Sequence, residues 1–227
     1  MPRPAGTFIA AALFVSACST AQMPNMPTTN QPATARYRVT FQAAWSGQTH
    51  PVDFPPDPHF SALVGGTHNA SARFWAEGLP ASPGIKDMAE RGRTSPLDQE
   101  VGAAIAAGTA GNLLGGGGIG SSPGMVSFEF AASQTHPLVT LVSMIAPSPD
   151  WFVGVSALPL FENGGWIGER RVDLVPWDAG TDSGRTFTSP DLVTTPAVPV
   201  SRIVTAPLSP GGQVTPLGTF TFTRIAG

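Results

Sequence analysis

Residues 138–160 read LVTLVSMIAPSPDWFVGVSALPL, two apolar runs on either side of a Pro-Ser-Pro-Asp turn. Leu138 to Ile145 and Trp151 to Leu160 are too short for core helices and rich in Val, Ile, Phe and Trp, so they read as strands covered on both faces. Around them the pattern is a half-buried one. In Arg36 to Gln42 the apolar residues Tyr37, Val39 and Phe41 alternate with polar ones, and the same alternation returns in Val126 to Phe130 and Phe220 to Thr223. Weaker strands are expected at Arg171 to Val175 and Ser201 to Ala206. Helix is confined to the first half. Ser95-Pro96-Leu97-Asp98 offers a capping Ser with Pro at the first helical position and predicts a helix through Ile105, and a shorter one fits Ile85 to Arg91. The resulting fold class is all-β, an antiparallel β-sandwich with a short helical excursion in its first half.

Composition agrees with one such domain. The chain has 227 residues, 41% hydrophobic and 12% charged, about half the usual charged share of ~25%. Gly 26 and Pro 24 fit many short elements joined by turns. With a net charge of −3 and scattered Lys and Arg, no phosphate-neutralising surface for nucleic acid is expected.

The N-terminus reads as an export signal. Arg3 supplies a positive start, Ala5 to Val15 an apolar stretch of eleven residues, and Val15-Ser16-Ala17-Cys18 ends it with small residues. Eleven residues cannot span a bilayer as a helix. The VSAC ending resembles the lipobox of bacterial lipoproteins, which makes residues 1–17 a signal peptide and Cys18 the lipidated first residue of a cell-envelope protein. Ser19 after the Cys points to the outer membrane or cell surface. The alternative is cleavage after Ala21 and free secretion. Residues 18–35, rich in Pro, Thr, Asn and Gln, read as a tether, with the folded domain at 36–227. Cys18 is the single Cys, so no intrachain disulfide forms.

Two catalytic motifs match in spelling and fail in mechanics. Gly115, Gly117 and Gly120 satisfy GxGxxG, but the pattern predicts no strand before them and no helix after, and the tract from Gly111 to Gly124 reads as a mobile loop. Gly120-Ser121-Ser122-Pro123-Gly124 satisfies GxSxG. The residue after Ser122 is Pro, which has no N–H for an oxyanion hole, and no His follows His136 to complete a Ser, acid, His order. His50, His59 and His68 recur too far apart for the close pairs of most zinc sites unless folding converges them; His50 and His136, each in a Thr-His-Pro triplet, are read as turn fixtures and His68 as a loop fixture.

The site candidate is built on carboxylates. Asp150 precedes one strand; Asp178-Ala179-Gly180-Thr181-Asp182-Ser183-Gly184 follows another that ends near Trp177. If residues 151–160 and 171–177 are antiparallel neighbours, Asp150 comes to one rim with Asp178 and Asp182. Three carboxylates there repel unless a cation neutralises them, and Ca²⁺, which takes six to eight oxygens in flexible geometry, suits the glycines and Thr181 between them. The competing reading leaves these acids as caps of Asx-turns.

The run from Met144 to Val155 together with Asp178 to Gly184 resembles the signature of the spondin N-terminal (F-spondin) domain family. Supporting pieces stand in order: Tyr37 to Trp45, Thr49-His50-Pro51, His59-Phe60-Ser61, Gly66-Thr67-His68-Asn69, Gly78 with Ala81 to Gly84, His136 to Val139, and Leu217 to Phe220. The resemblance covers about residues 36 to 225 and implies a C2-like sandwich holding calcium through Asp150, Asp178 and Asp182. Animal members are matrix and adhesion proteins with reelin-like and thrombospondin-type modules, which this sequence lacks, and it has no basic cluster for heparin. The function expected is a calcium-binding, non-enzymatic module, anchored through Cys18, that binds a protein or glycan. Trp151, Trp166 and Trp177 are candidate aromatic contacts, with Trp151, Trp177 and Thr181 nearest the Asp turns. The alternative is an envelope hydrolase, which requires a His or Glu beside the carboxylates in a concave pocket.

Overall fold

The computed structural model describes residues 1–2 and 31–225. The signal segment, Cys18 and most of the tether lie outside the described residues. In chain order the elements are β1 (Thr34–Ala43), β2 (His59–Phe60), β3 (Leu63–His68), α1 (Pro83–Arg91), α2 (Leu97–Ala106), β4 (Ala110–Gly116), β5 (Gly124–Ser133), β6 (Leu138–Ala146), β7 (Trp151–Pro159), β8 (Phe161–Glu162), β9 (Gly165–Trp166), β10 (Glu169–Leu174), β11 (Trp177–Asp178), β12 (Ser201–Arg202) and β13 (Gly218–Ile225). One sheet runs β10-β13-β1-β5 and the other β12-β11-β7-β6-β3-β4, with β2 paired to the end of β6. The pairings are antiparallel, giving the expected all-β sandwich.

The alternation read in the sequence is the alternation buried. Tyr37, Val39 and Phe41 of β1 and Phe220 and Phe222 of β13 point to the second sheet and are at most 1% exposed. Phe41 meets Phe60 and Phe220 edge to face at 4.9 and 5.1 Å, a geometry that favours the ring quadrupoles. The continuous run of β6 divides by parity. Val139, Leu141 and Ile145 enter this core, whereas Val142, Met144 and Ala146 enter a second one under the helices, with Phe152, Trp75, Ile85, Met88 and Val101.

Three expectations are corrected. Helix α2 does form, but Ser95 does not cap it: Pro96 stands at the boundary without a side-chain cap, and Ser95 Oγ accepts from Gln99 Nε2 at 2.9 Å instead. The capping serine is Ser82 of α1, whose Oγ accepts from Ile85 N at 3.2 Å and donates to Glu100 Oε2 at 2.7 Å, tying the two helices. The glycine tract is not one loop. Its first half is β4, paired with β3, so a strand does lead into the GxGxxG glycines, although no helix follows. Gly116 is required there because a Cβ would stand 2.5 Å from the Phe128 ring. Finally, strand β1 begins at Thr34, and Pro32 is already fixed, its carbonyl accepting from Trp166 Nε1 at 2.8 Å.

Candidate functional site

The rim is assembled by a strand that changes sheets. Residues 171–177 are not one strand beside β7: β10 pairs with β13 in the first sheet, the chain crosses at Val175-Pro176, and only β11 reaches β7. There Asp178 lies opposite Trp151 and Trp177 opposite Phe152, which brings the start of β7 and the turn after β11 together. Beyond β11, Gly180 takes φ +75°, and a Cβ at this position would collide with the Val198 carbonyl, so the turn admits only glycine.

Asp150 is fully buried, at 0% exposure. Its Oδ2 accepts from Thr181 N at 2.7 Å, Asp182 N at 3.0 Å and Thr181 Oγ1 at 3.2 Å. Its Oδ1 has no partner among the described residues. Burial, reinforced by the charge of Asp178, pushes the Asp150 carboxyl up to about 6 despite those three donors. Burial also raises Asp178, with the charge of Asp182 adding to it. Asp178 Oδ1 accepts from Gly180 N and Asp182 Oδ1 from Gly184 N, both at 2.7 Å, while Asp182 Oδ2 accepts from Leu192 N at 3.0 Å. Asp178 and Asp182 therefore do form Asx-turns; Asp150 does not.

The donor set is all oxygen, suiting a hard cation, and the unpartnered Asp150 Oδ1 is an atom such an ion would satisfy. The three acids are not drawn into one closed cluster: among the described residues, no group of three or more His, Cys, Asp or Glu is gathered tightly enough to form a ready cage. Asp182 is the reason that can be named, because both of its oxygens are taken up by backbone N–H groups.

A cavity of about 630 Å³ opens against the turn, lined by Trp151, Asp178 and Asp182 and, across from them in sequence, by Arg185 and Arg202. Neither His nor Glu is in its lining. The two arginines went unnoticed in the sequence. Arg185 directly follows the DAGTDSG turn and could have been noticed; Arg202 arrives only because β12 pairs with β11.

The remaining candidates are buried or engaged within the fold. Trp151, Trp166 and Trp177 are buried at 3, 7 and 8% exposure and Thr181 at 3%, so as folded they offer little surface to a partner. Trp177 packs edge to face on Trp75 and carries Arg202 over its ring at 5.3 Å. Ser122 is buried and donates to the Trp45 carbonyl at 2.8 Å. His68 Nε2 lies 2.8 Å from Thr140 Oγ1, His50 Nε2 3.3 Å from the Thr215 carbonyl and His136 Nε2 3.1 Å from the Gly108 carbonyl. His59 Nδ1 lies 2.9 Å from the Asp57 carbonyl, so each histidine fastens a turn, strand or loop.

Comparison with known proteins places this geometry in a family. The Spondin_N family model matches residues 35–211. Human Spondin-2 is 37% identical over 178 residues, covering 77% of this chain and 54% of its own length. Rat Spondin-2 is 35% identical over 204 residues, with 84% and 62% covered, and mouse Spondin-1 is 36% identical over 209 residues, with 85% and 26% covered. The chain thus spans about half to three fifths of the Spondin-2 relatives and a quarter of Spondin-1. It belongs to the spondin N-terminal domain family.

Proposed function

We propose that this spondin N-terminal domain is an exported interaction module, tethered to the cell envelope through lipidated Cys18, whose Asp150, Asp178 and Asp182 hold a calcium ion at a rim that binds a protein or glycan. The observation that carries the reading is Asp150, a buried carboxylate with one oxygen lacking any partner among the described residues, beside Asp178, whose charge helps to raise it and which is itself raised by burial and by the charge of Asp182. An unpartnered buried carboxylate oxygen is costly unless something polar or cationic meets it. When bound, calcium would neutralise the three acids and fix the turn. Thr181 and the backbone N–H groups of Thr181, Asp182, Gly184 and Leu192 hold the carboxylates in place for it.

Binding is favoured over hydrolysis by the cavity lining, in which the carboxylates have no His or Glu beside them to share acid–base work. Export is supported by the signal-like residues from Arg3 to Val15 together with membership of the spondin family, and tethering by the Val15-Ser16-Ala17-Cys18 ending alone. The test is thermal unfolding of the full chain against CaCl₂. A rise in Tm with calcium that is lost in Asp178→Asn supports the reading. An unchanged wild-type Tm, with no heat of calcium binding by calorimetry, rejects it.

A further inference from the structure

We infer that the cavity beside the Asp turns is a calcium-gated site for an acidic sugar, in which Arg185 and Arg202 receive the carboxylate of a uronic acid residue. This rests on the calcium reading above and adds the class of ligand.

The cavity wall carries charge of both signs without internal pairing. Asp178 and Asp182 line it, yet among the described residues neither Arg185 nor Arg202 forms an ion pair with any acid. The carboxylates instead accept from backbone N–H groups, Asp178 from Gly180 and Asp182 from Gly184 and Leu192. Arg202 is held 5.3 Å over the ring of Trp177. Arg202 is exposed and paired with no acid among the described residues, so its fork of N–H donors is open to a planar carboxylate, which such a fork receives in two parallel hydrogen bonds.

Calcium decides the sign of the field. Without it, the three acids of the rim outweigh the two guanidiniums, and an anion is repelled. A bound divalent ion reverses that balance and draws an anion in. The buried Oδ1 of Asp150, unpartnered among the described residues while Oδ2 accepts from Asp182 N, is the independent sign that the rim is incomplete without an ion.

The rest of the lining selects a sugar. At about 630 Å³ the cavity is of the size that takes a small ligand. Ser183, Ser201 and Thr205 supply hydroxyls, while Ile203 and Val204 supply an aliphatic strip. A pyranose ring has that same division, with hydroxyls around its edge and C–H groups on its face. The aromatics near the turn are buried, so the exposed aromatic anchors that dominate protein hot spots are not offered here.

Calorimetry on the full chain tests this in steps. CaCl₂ is titrated first, then D-glucuronate into calcium-loaded and EDTA-treated protein, with D-glucose and a tetraglutamate peptide in parallel and protein-free titrations subtracted. Saturable glucuronate binding in calcium only, absent for glucose, and weakened about tenfold in Arg185→Gln/Arg202→Gln supports the inference. In that variant calcium binding itself is retained, and not weakened, since both side chains are exposed, neither holds the ion and both carry its sign of charge. Calcium binding without glucuronate binding, equal binding of glucose, or tighter binding of the peptide overturns it. Absence of calcium binding overturns the reading on which it rests, and the first titration alone reveals that.

Discussion

Strand β1 meets β13 through eight successive residue pairs and β5 through ten, whereas β11 meets β7 and β12 through two each. The first region is held by apolar side chains that alternate with the pleat, so that burial and backbone pairing enforce the same register. The rim around β11 is held differently. Its order comes from carboxylates that accept backbone N–H groups, and one of those carboxylates keeps an unpartnered oxygen. A sandwich core is complete with its own atoms; the rim retains charge that the fold alone does not neutralise. Local stability is therefore set by packing in the one region and by hydrogen bonds to unneutralised carboxylates in the other.

The largest effect that separates them is a core truncation. Phe41→Ala removes a ring that is 1% exposed and packed edge to face on two others, and is expected to cost about 3–5 kcal/mol. Urea unfolding reads the loss directly. It should be equal in EDTA and in calcium; a loss that calcium repairs would mean the two regions are one cooperative site rather than two.

The next largest is the calcium response itself. At a hundred times the dissociation constant, a ligand bound only by the folded chain adds about 2.7 kcal/mol. Wild type and Phe41→Ala should both gain it, and Asp150→Asn and Asp178→Asn should not. A gain retained by both Asp variants would place the ion elsewhere.

A third test lies where the GxSxG spelling invites a catalytic reading. Ser122 Oγ donates to the Trp45 carbonyl inside the sandwich, so Ser122→Ala should cost about 1–2 kcal/mol through an unsatisfied buried acceptor. The loss should be independent of calcium. Esterase activity abolished by Ser122→Ala at unchanged stability would contradict this assignment.

How much of this was written in the sequence divides along the same line. Alternation in Tyr37-Val39-Phe41 and the unbroken runs of β6 and β7 announce their strands, because burial on one or two faces fixes residue type at every position. Residues 171–177 misled because a sheet change at Val175-Pro176 interrupts no apolar pattern. The glycine tract misled for the opposite reason. β4 uses glycine at Gly116 to admit the Phe128 ring, and a strand that ends in glycines resembles a loop. At the rim the acids were legible from their turns. The arginines were not, since the meeting of residues 185 and 202 is a product of β12 pairing and leaves no local spacing.

The smallest expected effect concerns acid, and it returns to the packed region. His68 is fully buried in β3, with Nδ1 2.9 Å from the Asn69 carbonyl and Nε2 2.8 Å from Thr140 Oγ1. The Asn69 carbonyl can only accept, so the neutral ring carries its proton on Nδ1 and receives the Thr140 hydroxyl proton at Nε2, while Thr140 Oγ1 accepts from Ala157 N at 3.1 Å. The ring is thus neutral, a donor at Nδ1 and an acceptor at Nε2, and a second ring proton would face a hydroxyl that is donating. Burial accordingly holds His68 below its ordinary value of 6.5, and His50 shifts in the same direction for the same cause. The unfolded chain then binds more protons than the folded one as pH drops below about 6.5, so stability falls with acidification through that range. Urea midpoints measured at pH 7.5 and 5.5 in EDTA should decline in wild type, and the decline should shrink in His68→Gln and shrink further in His50→Gln/His68→Gln. Asp150, pushed up to about 6, acts with the opposite sign, because protonating a buried carboxylate on acidification relieves the rim. In Asp150→Asn the acid decline should therefore steepen, and a slope left unchanged by both kinds of variant would show that neither group titrates as its burial requires.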